Sequence, residues 1–166
     1  NDIRHNYFKT MFSNDKDINV IKTFVESGHE SNLEFNIIDT EENIDLSRLH
    51  FISRHNSEYD FFSDIIENIN DNSNCMSINK GEINSTDIVD EIISLKPDLI
   101  ITYGCSIIKY KLIESFKQKI INVHLGLSPY YLGAGTNYHA LVNNDFQCVG
   151  YTFMYMDEGI DTGEII

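Results

Sequence analysis

Pro97-Asp98-Leu99-Ile100-Ile101-Thr102 is a short apolar run, opened by a proline and closed by Tyr103-Gly104. Its length suits a strand, and its lack of alternation suits a parallel strand buried on both faces. Upstream, Ser85 to Leu95 reads as a helix. Ser85 or Thr86 can cap it, and Ile88, Val89, Ile92 and Leu95 fall in one stripe. Pro97 forbids its continuation. Downstream, Lys109 to Phe116 reads as a second helix and Ile120 to His124 as a second strand. Helices alternating with strands are the signature of an α/β sheet that runs mainly parallel.

The remaining chain extends this order. Tyr7, Phe8, Met11 and Phe12 predict an amphipathic helix over Arg4 to Phe12, and Asn19 to Glu26 reads as a strand. Ser27 to Arg54 has poor periodicity and is expected to be a long surface excursion. Asn56 to Asn70 predicts a helix with Tyr59, Phe62, Ile66 and Ile69 on one face and Phe61 and Ile65 beside it. Cys75 to Ile78 is a short strand, Val149 to Met156 alternates as a strand, and Glu164 to Ile166 begins another. The expected architecture is one α/β domain over residues 1–166: a three-layer, mainly parallel twisted sheet flanked by helices.

The chain has 166 residues, 12 basic and 26 acidic, for a net charge of −14. Such a surface repels phosphate backbones and anionic lipid, so a nucleic-acid clamp and a polybasic membrane dock are excluded for this domain. No apolar run is long enough to cross a bilayer. Cys75, Cys105 and Cys148 are odd in number and lack metal spacing, which fits a reducing, cytoplasmic setting. No metal site is expected, since His124 and His139 have no partner at ligand spacing. No targeting segment is visible.

In a sheet of this kind ligands bind beyond the carboxyl ends of the strands. Two clusters lie there. The first runs from Asn122-Val123-His124 through Gly126, Pro129, Gly133 and Gly135 to Asn137. Residues two apart in extended backbone share a side, so the Asn122 amide and the His124 imidazole converge. The second, Asp157-Glu158-Gly159-Ile160-Asp161-Thr162-Gly163, puts carboxylates into a glycine-flanked loop. Asn, His and Asp together suit acyl or formyl transfer. An amide N–H and a protonated imidazole stabilise an oxyanion, and a carboxylate orients the imidazole and takes a proton. No Ser or Cys nucleophile is required.

The stretch from Pro97 to Gly163 resembles the folate-dependent formyltransferases. It carries Pro97-Asp98 and an apolar strand, Tyr103-Gly104, Asn122-Val123-His124, Leu127-Ser128-Pro129, Gly133, and Asp157-Glu158-Gly159-Ile160-Asp161-Thr162-Gly163 in the family's order and spacing. The resemblance implies a Rossmann-like catalytic domain truncated at both ends, with the first strand missing before Arg4 and any C-terminal domain absent. It implies that Asn122, His124 and Asp161 are catalytic and that 10-formyltetrahydrofolate donates the formyl group, with no metal. The pterin pocket is then expected at Ile101, Tyr103, Gly104 and Ile107 and at Asp157, Glu158, Gly159 and Ile160. Gly126, Tyr130, Gly133, Thr136 and Asn137 are expected on the acceptor side. Tyr131 and Tyr138 are further candidates there, against core packing as the alternative for all three tyrosines.

The chain departs from the family pattern at three positions. Gly126 stands where relatives commonly have Ser, Leu132 where they have a basic residue, and Met154 where a His often sits. Gly126→Ser is expected to be tolerated. The acidic charge favours a small amine acceptor, such as a nucleotide-linked amino sugar; a homodimer is a separate expectation. The competing readings are a methionyl-tRNA formyltransferase lacking its C-terminal domain, a 10-formyltetrahydrofolate hydrolase, and a non-enzymatic α/β nucleotide-binding module. The last lacks a phosphate loop.

Overall fold

The computed structural model describes residues 3–27 and 46–166. The chain divides into two compact units, Asn1–Lys80 and Gly81–Ile166. In the first, helix α1 (Ile3–Ser13) precedes strand β1 (Thr23–Ser27), and helix α2 (Leu46–Asn68) precedes strand β2 (Cys75–Asn79). β1 and β2 pair in parallel, from Thr23 opposite Cys75 to Ser27 opposite Asn79. The Tyr7 ring of α1 lies 4.8 Å from the Phe62 ring of α2.

Three sequence expectations shift here. β1 starts at Thr23, so Asn19 to Lys22 lie outside the ladder. Residues 46–54, expected in a surface excursion, are helical. That segment holds neither Gly nor Pro, and Arg54 pairs with Glu58 one turn on at 2.9 Å, so polar composition alone does not stop the helix. The rest of the excursion, residues 28–45, lies outside the described residues. Finally, Tyr59 and Phe61 are exposed while Phe62, Ile65, Ile66 and Ile69 are half-buried, which narrows the inward face of α2.

The second unit holds the motif clusters. Helix α3 (Thr86–Leu95) is capped by Ser85, whose side chain accepts from the Ile88 N–H, and it buries Ile88, Val89 and Ile92. Lys96 ends it in a left-handed conformation at φ 49°. Strand β3 (Ile100–Tyr103), helix α4 (Tyr110–Ser115) and strand β4 (Ile120–His124) follow. β3 runs parallel to β4, pairing Ile100 with Ile120 and Thr102 with Asn122. Strand β5 (Thr152–Tyr155) runs antiparallel on the other side of β4, placing Met154 opposite Asn122 and Thr152 opposite His124. β4 is therefore the centre of a three-stranded sheet. Among the described residues two of the three strand pairings are parallel, as the alternation of strands and helices predicts. The core gathers Ile88, Val89, Ile92, Ile108, Leu112, Ile113, Phe116, Ile120 and Met154.

β3 is not buried on both faces: Ile101 is exposed. Among the described residues its ladder partner is β4. β5 is shorter than the alternation suggests. A single-turn helix at Phe146–Cys148 precedes it, and the Asn137 carboxamide binds both the N–H and the C=O of Gly150, holding the chain there out of the ladder. Helix α5 (Thr136–Val142) was not anticipated where a pocket-shaping stretch was expected. Glu164–Ile166 does return alongside β5: the Tyr155 N–H donates to Glu164 O at 2.8 Å and the Ile166 N–H to Phe153 O at 3.0 Å. Gly163 is required at this return, because a Cβ there would collide with the Tyr155 carbonyl.

No helix among the described residues is long and apolar enough to cross a membrane. The cap and the buried stripe of α3 differ in weight. Ser85→Ala is expected to lower stability by about 1 kcal/mol and Ile92→Ala by roughly 2–5 kcal/mol, an order that urea denaturation of the two variants checks.

Candidate active site

The carboxylate of Asp161 joins the two motif clusters. Its Oδ1 accepts from Asn122 Nδ2 at 2.8 Å. Its Oδ2 faces His124 Nδ1 at 3.2 Å and accepts from the Gly133 N–H at 2.9 Å. The alternation of β4 puts Asn122 and His124 on one side, as the two-residue spacing requires. Asp161 reaches them because its backbone turns through a left-handed conformation, φ 54°, inside the loop after β5. Asp tolerates that region better than most side chains, and such conformations recur at functional sites. The His124 side chain is 5% exposed and that of Asp161 13%, so the pair interacts largely out of water.

Both nitrogens of His124 meet oxygens. Nδ1 faces Asp161, and Nε2 lies 2.8 Å from the Tyr131 carbonyl. A carbonyl and a carboxylate only accept, so each contact is a hydrogen bond where the ring nitrogen facing it carries the proton. The Asn122 amide uses one of its two N–H groups on Asp161. Thr102, buried on β3, stands 3.3 Å from Asn122 Oδ1. The carboxamide oxygen thus turns toward a hydroxyl and its nitrogen toward the acid.

The three residues proposed as catalytic therefore meet at one point. The expected acceptor-side residues divide. Gly133 supplies a backbone N–H to Asp161. Thr136 is buried against Gly126, and the Asn137 amide is committed to Gly150. Tyr130 and Tyr138 are 73% and 56% exposed, which sets aside core packing for them. Tyr130 and Tyr131 line a cavity of about 500 Å³ with Leu127, Asp145, Gln147 and Cys148.

On the expected pterin side, Ile101 and Tyr103 lie on β3, Gly104 follows at φ 58°, and Ile107 is 69% exposed. Asp157, Glu158 and Gly159 line a second cavity of about 470 Å³ that does not include the β3 residues, and Ile160 is exposed beyond it. The Asp157 carboxylate accepts from the Gly159 N–H at 3.0 Å and from the Thr162 hydroxyl at 2.8 Å, so it shapes the loop that presents Asp161. Sequence reasoning missed the Tyr131 carbonyl and Thr102. A main-chain oxygen carries no residue-type signal. Thr102 was readable only as part of an apolar run, although it sits beside Asn122 in the ladder.

Residues 39–166 match the sequence model of the formyl transferase family, and the chain belongs to that family. Among curated proteins it is 35% identical over 91 residues to the methionyl-tRNA formyltransferase of Finegoldia magna, covering 54% of this chain and 29% of that one. It is 41% identical over 86 residues to that of Alkaliphilus oremlandii, covering 51% and 27%. The aligned segments thus span less than a third of these relatives. Glycinamide ribonucleotide transformylase 1 of Geobacillus kaustophilus superposes with a TM-score of 0.57 at 17% identity, over 99% of this chain and 73% of that one. At that identity the likeness is one of fold.

Gly126 overturns the expectation that Ser is tolerated there. Its φ is +147°, and a Cβ would lie 2.7 Å from Thr136 Cβ and 2.9 Å from His124 Nε2. Gly126→Ser is expected to destabilise by more than about 1 kcal/mol; unfolding midpoints equal to those of the unsubstituted protein contradict this.

Proposed function

We propose that this chain carries the transfer centre of a folate-dependent N-formyltransferase, which moves the formyl group of 10-formyltetrahydrofolate to a primary amine. The observation that carries the reading is the Asp161 carboxylate bridging Asn122 and His124. The residues fit this donor: the centre offers N–H groups to an oxygen and an acceptor for a proton, which is what formyl transfer asks of a protein. The donor supplies an activated formyl carbon.

As the amine adds to that carbon, negative charge grows on the formyl oxygen. The spare Asn122 N–H and the His124 Nε2–H donate to it, each worth roughly 3–4 kcal/mol in comparable sites. The Tyr131 carbonyl is a neutral acceptor, so a developing oxyanion is the stronger partner for the same N–H. Asp161 maintains charge on His124 and accepts the amine proton through water. The adduct then collapses: the bond to the folate nitrogen breaks, its electron pair stays on that nitrogen, and the proton taken from the amine is passed to it, giving tetrahydrofolate and the formamide. Ile101, Tyr103, Gly104 and Ile107, with Asp157–Ile160, are proposed to hold the pterin.

Two acceptor readings have support. A small amine, such as a nucleotide-linked amino sugar, suits the charge of −14 and the exposed Tyr130 ring beside a cavity. Methionyl-tRNA is the second, favoured by the names of the relatives at 35% and 41% identity. An assay of the full-length protein with 10-formyltetrahydrofolate against amino-sugar nucleotides, charged tRNA and water separates them. Tetrahydrofolate released with no formylated product points to hydrolysis.

Asp161→Asn is expected to lower kcat by about 10²–10⁴ with the KM for the folate donor little changed. Near-normal turnover removes Asp161 from the chemistry.

A further inference from the structure

We propose that Tyr131 is a positioning residue, whose own backbone carbonyl holds the His124 ring in place until the formyl oxygen takes over its Nε2–H, while its phenol anchors that carbonyl to the Asn143–Asp145 turn. The role in turnover rests on the formyl-transfer reading; the contact itself does not.

His124 Nε2 stands 2.8 Å from the Tyr131 carbonyl, inside a site where a buried N–H without an acceptor is costly. The carbonyl sits in an exposed stretch. Leu132, Gly133, Ala134 and Gly135 are all exposed, and both glycines have positive φ, 86° and 69°. Such a stretch needs fixed points. One is the turn in which the Tyr130 and Tyr131 N–H groups both donate to Leu127 O at 3.0 Å. Another is the Gly133 N–H on Asp161. The third is the phenol, which donates to Asp145 Oδ2 at 2.5 Å and accepts from Asn143 Nδ2 at 3.2 Å. The Asp145 N–H is itself tied to Ala140 O of α5 at 2.8 Å. A chain of contacts therefore runs from α5 through Asp145, the phenol and the Tyr131 main chain to His124, and on to Asp161 and Asn122.

A phenol on a carboxylate is a charge-assisted hydrogen bond, stronger than a neutral one. The same bond to Asp145 raises the Tyr131 pKa above its ordinary value of 10.0, so the phenol keeps its proton, and the anchor, through the neutral range. The phenol also lines the cavity of about 500 Å³, so a ligand seated there touches the anchor of the imidazole.

The test uses the full-length protein and Tyr131→Phe, which removes one oxygen and leaves ring and backbone in place. Without substrates, NMR of the histidine rings, with His124 assigned through His124→Gln, is expected to show a slowly exchanging Nε2–H that is lost or broadened in Tyr131→Phe. In turnover, kcat is expected to fall about tenfold, the equivalent of one hydrogen bond, while the KM for the formyl donor changes less than about twofold. Asp145→Asn keeps an acceptor for the phenol but loses the charge, so its kcat is expected to fall between those of the unsubstituted protein and Asp145→Ala. Asp145→Ala matches Tyr131→Phe, and the double variant is no worse than either.

An unaltered Nε2–H signal or an unaltered kcat in Tyr131→Phe overturns the proposal. So does an Asp145→Asn variant as impaired as Asp145→Ala, or a loss shared equally by kcat and KM. If the ring signal responds as expected and no variant, nor the unsubstituted protein, transfers formyl, the anchoring stands and the formyl-transfer reading falls.

Discussion

One carboxylate organises the second unit. Asp161 gathers an amide N–H from Asn122, a ring nitrogen of His124 and a main-chain N–H from Gly133 onto two oxygens. A largely buried anion has to be surrounded by donors, because water is not there to solvate it. Those donors come from a central strand and from the loop after it, 39 residues away from Asp161 in the case of Asn122. The same requirement that stabilises the charge thus fixes where the loop after β5 lands and which way the imidazole faces.

The sheet makes that convergence possible. β4 lies between β3 and β5, so both sides of Asn122 are occupied by ladder partners: Thr102 on the parallel side and Met154 on the antiparallel side. Thr102 offers a hydroxyl near the carboxamide oxygen, and Met154, 1% exposed, offers no hydrogen-bonding rival. One step along, His124 lies opposite Thr152. The Thr152 hydroxyl donates to Gly126 O at 2.6 Å and accepts from the Ser128 N–H at 3.0 Å, pinning the start of the loop that follows the histidine. Polar groups on this face are spent on geometry, and an apolar neighbour keeps the amide from being drawn elsewhere.

Much of this was legible in the sequence, for physical reasons that differ by element. α3 was readable because its cap, stripe and terminating proline are all local. Asn122 and His124 were readable because alternation along a strand is a fixed rule. β3 was legible as a parallel strand but not in its burial, because a continuous apolar run reports composition and not what covers each face. The helix over residues 46–54 was missed because its polar residues hide a pattern that only a longer window reveals. Gly126 looked permissive because the Thr136 side chain that closes on it is ten positions away. The Tyr131 carbonyl was beyond reach altogether, since every residue possesses one.

Contacts made by the main chain are insensitive to the side chain that carries them. Around the acid and the imidazole, two of the contacts, the Tyr131 carbonyl and the Gly133 N–H, belong to the main chain. Between them sits Leu132, an exposed residue whose side chain has no hydrogen-bonding atom. Amino-acid replacement at that position leaves both contacts intact so long as the backbone path is kept. The side chain displayed between them can therefore change while both main-chain contacts persist, which separates what the rim of the loop presents to solvent from what holds the acid and the imidazole.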